Sequence, residues 1–302
     1  MSAVVSTDAP AVPLEEGRAP WRLLLATAWA QHRTKVGVAI TLVLVAIAVV
    51  GPFATPHPPD EGVEGQFPFA PPSGDAWIGT DALGRDTLSR FLAGGYTVLL
   101  LSGLSTAIGV GLGVVVGLVA AYSHGKLDDL LMRSMDVVLS FPQIVFALVL
   151  AATVGPSLWL LVLAVAVTTM PRAARVTRGA AVEIVERDFV RAAEAIGVPR
   201  SRILFSEVLP NITSPLVVET TLRLTFNIAV VAGLSFLGFG LQPPAADWGL
   251  MINENKNGLI IQPWPVVLPV VAIGLLTIGT SLIGDGLARA AIGIERGRRA
   301  GG

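Results

Sequence analysis

Residues 171–210 read PRAARVTRGAAVEIVERDFVRAAEAIGVPRSRILFSEVLP. Seven arginines, Arg172, Arg175, Arg178, Arg187, Arg191, Arg200 and Arg202, crowd into a stretch flanked on both sides by apolar sequence. Within it Phe189, Ala192, Ala193 and Ile196 recur at helical spacing, so a short helix with one apolar face is expected from Asp188 to Ile196. Gly197, with Pro199 two residues on, supplies its stop. The apolar face is built mostly from small side chains, which lets the backbone sit deep in a groove while Arg191 and Glu194 reach polar groups at the rim. By composition alone the same stretch also suits a loop resting on anionic lipid.

The surroundings fix the class. Of the 302 residues 53% are hydrophobic and only 14% charged, where a soluble domain carries about a quarter charged residues. The expectation is an all-α integral membrane protein. A net charge of -1 argues against nucleic acid as a partner, and the absence of cysteine excludes disulfides and thiolate metal sites. Six segments approach the ~20 apolar residues that a membrane-spanning helix needs: 36–54, 96–122, 130–154, 157–170, 213–241 and 266–287. The fourth is the shortest. Gly155-Pro156 before it and Pro171 after it read as turns, making it a tight hairpin partner of the third. Pro142 is expected to kink the third span.

Lysine and arginine are unevenly shared between alternate loops. With the N-terminus inside, 17 basic residues fall on the inner side against Arg85, Arg90 and Lys256 outside, so both termini are expected to be cytoplasmic. The chain then divides into a disordered tail over 1–19, a juxtamembrane helix over 20–35, the first span over 36–54 and an external loop over 55–95. A five-helix core follows over 96–288, with the cytoplasmic loop at 171–210, and then a basic tail over 289–302. The external loop ends in Gly79-Thr80-Asp81-Ala82-Leu83-Gly84-Arg85-Asp86, where Asp81, Arg85 and Asp86 are suited to a charge-assisted network bracing a turn at the membrane surface. The second span carries Ser105, Gly109, Gly113 and Gly117 at four-residue spacing, a face for close helix packing inside the chain or between subunits.

The loop resembles the EAA motif of binding-protein-dependent ABC importer permeases, with Arg191-Ala192-Ala193, then Gly197, then Leu209-Pro210 at the family's spacing. The GTD-x-LGRD turn at 79–86 narrows the likeness to the C-type subunit of dipeptide and oligopeptide permeases. Ser235-Phe236-Leu237-Gly238-Phe239-Gly240, Gln242-Pro243-Pro244, Asp247-Trp248-Gly249 and Leu282-Ile283-Gly284-Asp285-Gly286-Leu287 continue it in order. The resemblance implies a type I importer fold of six transmembrane helices in the cytoplasmic membrane of a prokaryote. It also implies a B-type permease partner, an extracytoplasmic binding protein, and ATPase subunits that carry the ATP and Mg. Asp188, Phe189, Arg191, Ala192, Ala193, Glu194, Ile196 and Gly197 would then form the helix that docks in the ATPase and transmits its closing motion. Two positions depart from the motif: Arg191 stands where the family has glutamate, and Glu207 where it has an apolar residue or histidine. A paired change of this kind would preserve a contact between the two side chains.

Glu219, Arg223 and Asn227 lie four apart on one face of the fifth span. An arginine at mid-membrane costs roughly 3 kcal/mol or more, so Glu219 and Arg223 should pair, either lining the translocation path or locking a gate. Trp248 and Trp264 suit a membrane interface, and Asp247 and Trp248 an outer gate or docking surface. No phosphate-binding G-x-x-x-x-G-K-[ST] loop occurs, and His32, His57 and His124 form no metal-binding array. The expectation is therefore a non-catalytic transport subunit with no cofactor or metal of its own. It stands against two rivals: the same architecture moving nickel, glutathione or another solute, and an ATP-independent carrier or membrane enzyme.

Overall fold

In a computed structural model of the chain, described over residues 20–123, 125–155 and 157–300 with the side chains of residues 20 and 295–300 excepted, every extended element is a helix. The tail expected over 1–19 lies outside the described residues, as do Pro156 of the Gly155-Pro156 signal and residues 301–302 of the basic tail. Two isolated bridges, Gly62 to Arg85 and Thr80 to Asp86, are the only β pairing among the described residues.

A short α1 (Pro20–Ala30) leads through Gln31 into α2 (His32–Val50). An irregular segment then reaches α3 (Thr87–Ser123), which begins nine residues before the expected second span because Asp86 caps it, accepting from the Ser89 backbone N–H at 2.9 Å. α4 (Lys126–Leu139) and α5 (Gln143–Val154) meet at 79°. The third expected span is thus a broken pair and not one kinked helix. Pro142 offers no N–H to continue the ladder and drives Phe141 out of helical backbone. Among the described residues five helices are long and apolar enough to cross a membrane, six if the bent pair counts as one span.

The largest difference from expectation is α6 (Leu158–Val185), which runs straight through Pro171. The loop expected over 171–210 therefore starts only after Val185. Its reason is packing: Pro171 is buried, and α6 lies against the small face of α3. A Cβ on Gly109 would stand 2.6 Å from the Ala166 carbonyl, one on Gly113 2.6 Å from Ala173 Cβ, and one on Gly117 2.5 Å from the Ala174 carbonyl. The Ser105–Gly117 face is therefore filled inside this chain. Packing of this kind holds a proline in a membrane helix that would end it in water.

After α6 come α7 (Asp188–Ala195), one turn of α8 (Arg200–Arg202), a π-helical turn (Ile203–Val208) and α9 (Leu209–Asn211). The bundle is completed by α10 (Thr213–Phe236), the short α11 (Trp248–Asn255) and α12 (Trp264–Ala300). α12 continues without a break past position 289, where a separate basic tail was expected. At the end of the bundle bearing α7, Leu118, Ala121, Val185, Ile203 and Val208 share one core with Val190. Leu24 and Ala28 of α1 pack there on Leu287 and Ala290 of α12. Leu42, Val43, Val145, Val149, Val271 and Ile278 remain exposed on the outer surfaces of α2, α5 and α12, as lipid-facing side chains do.

Candidate functional site

At the loop end of the bundle α7 is fixed from below and open above. Val190 is its one fully buried side chain, set into the core with Ile203, Leu204 and Val208, and Ala193 packs beside it. The Tyr122 hydroxyl at the end of α3 donates to Glu194, and the Arg200 guanidinium lies over the Tyr122 ring, 5.8 Å from its centre. Gly197 takes φ +81°, its N–H bonding the Glu194 carbonyl and that of Val198 the Ala193 carbonyl, both at 3.0 Å. This paired closure needs a left-handed residue, and glycine adopts it without strain. The opposite face, Phe189, Ala192 and Ile196, has no cover: Phe189 is 43% and Ile196 81% exposed.

Sequence periodicity grouped Ala193 with that face; the structure turns it inward and leaves Val190 as the anchor. The helix ends at Ala195, with Ile196 as its cap. Asp188 and Arg191 are exposed. Arg191 and Glu207 are both exposed as well, with no ion pair between them among the described residues. The contact expected to link these two off-pattern positions is absent.

At the opposite end of the bundle the turn is a buried charge cluster larger than expected. Asp81 accepts the Leu83 and Arg85 backbone N–H groups on Oδ1, each at 2.9 Å, and Arg85 Nε on Oδ2 at 2.7 Å. Arg90 Nε stands 3.3 Å from the same oxygen. Glu254 of α11 closes the group, accepting from Arg85 at 2.9 Å and Arg90 at 2.8 Å. Two guanidiniums thus face two carboxylates, and Asp81, Arg85 and Arg90 are out of solvent. Arg90 also donates to the Pro59, Pro244 and Ala245 carbonyls, tying the segment between α2 and α3 to the stretch before α11. Asp86 belongs elsewhere: besides capping α3 it faces His57 at 3.8 Å. In the sequence Arg90 stood out only as one of three basic residues expected on the outer side, and Glu254 carried no local signal.

Asp247 caps α11, accepting from the Leu250 N–H at 3.0 Å, and burial holds its carboxyl above the usual carboxylate range. Trp248 is wholly buried, stacked on Phe91 with its Nε1 donating to the Phe91 carbonyl at 2.8 Å. It is core and not an interfacial belt, whereas Trp264 is 42% exposed at the start of α12.

In α10, Glu219 and Arg223 pair at 2.8 Å. Asn227 does not join them. It is buried, donating to Thr106 of α3 at 2.9 Å and accepting from Thr169 of α6 at 3.1 Å. With Gln143 of α5 donating to its oxygen at 3.5 Å, one amide joins four helices, and the face predicted as a single surface divides into a partly open ion pair and a closed joint.

Helices enough for a polytopic membrane protein, an uncovered helix at one end and a braced turn at the other define a membrane subunit built to work with other chains. Residues 113–292 match the family model of the binding-protein-dependent transport system inner membrane component. The chain belongs to that family, the permeases of ABC importers. It is similar to the glutathione transport system permease protein GsiD of Pectobacterium atrosepticum, 34% identical over 92% of each chain. It is also similar to the di/tripeptide transport system permease protein DppC of Pseudomonas aeruginosa, 37% identical over 83% of this chain and 84% of that one. Membership sets aside the ATP-independent carrier.

Proposed function

We propose that this chain is the permease subunit of an ATP-driven importer of dipeptides or short oligopeptides, working by alternating access in a prokaryotic cytoplasmic membrane with both termini cytoplasmic. A second, B-type permease subunit, ATPase subunits and an extracytoplasmic binding protein complete the system. One observation carries this reading: α7 is anchored on the core by Val190 and bonded to α3 through Tyr122, yet presents Phe189, Ala192 and Ile196 uncovered. A rigid mount with an open apolar face suits force transmission from a partner that grips it. Closure of the ATPases would carry α7, and α6 and α10 on either side would follow.

Glutathione is the alternative solute, favoured by the relative that is similar over 92% of each chain; ligand identification on the cognate binding protein decides between them. The coupling role is tested by Phe189→Ser and Ile196→Asp in the assembled importer. Both side chains are exposed, so the permease should fold to normal yield while ATPase association weakens by about tenfold or more, as for an interface anchor. Normal association together with normal transport-linked ATP hydrolysis would remove α7 from the coupling role.

A further inference from the structure

Because α6 passes through Pro171, three arginines expected in a loop stand on a helix. Arg178 donates through Nε and Nη2 to the two oxygens of Asp128, each at 2.5 Å, and Arg175 pairs with Asp136, both carboxylates on α4. Arg172 is exposed and has no carboxylate partner among the described residues. It lies at the middle of the 28-residue α6, roughly 21 Å along the axis from Leu158 at 1.5 Å per residue, within the reach of a hydrocarbon core of about 30 Å.

The joint at Asn227 shows what faces it. α6 and α10 are antiparallel in the topology that both membrane spans require, and Thr169 meets Asn227 at 3.1 Å. One turn on from Thr169 is Arg172; one turn back from Asn227 is Arg223. Arg172 and Arg223 therefore lie at one level of the bundle, each one turn from the joint on the same side of it. Glu219 pairs with Arg223 at 2.8 Å. That leaves Arg172 without a carboxylate partner among the described residues, next to a pair that is already neutral. Residues 166, 169, 170, 173, 174 and 177 of α6 meet the glycine ridge of α3, so Arg172 points away from that seam, toward the open side of the chain.

We propose that Arg172 and Arg223 form a carboxylate-binding subsite on the translocation surface, receiving a carboxylate of the transported peptide. A guanidinium fork matches a carboxylate in two-bond geometry. The inference rests on the importer reading above and assigns its path a solute chemistry. Arg172 is the residue to change, since removing Arg223 would leave Glu219 unpaired.

The test is ATP-driven uptake by the assembled importer with its binding protein in proteoliposomes, using alanyl-alanine, alanyl-alanine amide and alanyl-glutamate C-terminal amide as probes. Preference for the free acid over the amide should fall about tenfold in Arg172→Gln and recover in part in Arg172→Lys. The binding protein's own selectivity cancels between variants. If instead alanyl-glutamate amide loses its advantage over alanyl-alanine amide in Arg172→Gln, the side-chain carboxylate is the group recognised, which also supports the subsite. Identical preferences in the unaltered protein and Arg172→Gln, or an equal drop for all three probes, overturn it. Absence of ATP-driven uptake of every probe by the unaltered protein overturns the peptide-importer reading itself.

Discussion

Asp81 gathers two backbone N–H groups and two guanidiniums with none of its surface in solvent. Removing one member of a buried ionic group costs more than the group is worth intact, because the partners stay buried with their charge uncompensated. Asp81→Asn should therefore destabilise the protein by about 3–5 kcal/mol, read as a lowered thermal midpoint in detergent, with little relief from added salt because water and ions do not reach the cluster. Asp247 behaves differently. Burial raises its carboxyl, so the native state binds this proton more readily than the unfolded chain. The stability contributed by the neutral acid is full below the ordinary carboxylate pKa and is lost as pH rises through the native value. Asn keeps an oxygen to cap α11 and never ionises. The midpoint of Asp247→Asn relative to the unaltered protein should rise as the pH is raised above the ordinary carboxylate range of about 4; a difference independent of pH would rule this account out.

Among the elements, the α3–α6 pair is held by backbone approach. Gly113→Val should cost about 1–3 kcal/mol or more by overpacking, since even a Cβ would lie 2.6 Å from Ala173 Cβ and 2.7 Å from the Met170 carbonyl. Gly111→Ala, two residues away with nothing within 4 Å, should change the midpoint little. Four-residue spacing made that face legible in the sequence, but not its occupant, because a small-residue ridge fits any helix that comes near. α7 was legible as well: its apolar period and the Gly197 stop are properties of ten neighbouring residues. Which side of α7 is anchored was not, since Val190 and Ala193 meet side chains from the π turn and α6. The extent of α6 was misread at Pro171 because a proline's local effect is a stop signal, and only the α3 ridge makes continuing worthwhile.

For the whole molecule, the excess of basic residues toward the α7 end predicts its side of the membrane. The natural sequence has no cysteine, so single replacements report without background. Ile260→Cys, 99% exposed in the segment between α11 and α12, should react with an impermeant maleimide in intact cells. Ile196→Cys should react only after permeabilisation. The reverse labelling pattern would invert the topology.

By itself the sequence determined a helical membrane protein, the approximate positions of its spans, the short helix beside Gly197 and the family likeness, because hydropathy, periodicity and capping act over one or two turns of chain. The tertiary structure decided which charges are neutralised and which are left over. Glu254 reaches Arg85 across 169 positions, Asp128 reaches Arg178 across 50, and α6 carries Arg172 to the level of Arg223 with no carboxylate partner among the described residues. Charge pairing in a membrane depends on which helices meet and at what depth, and no local pattern records that. The arginine-rich stretch at 171–210 thus became two objects: a membrane helix bearing three arginines, and an exposed helix around Ala192.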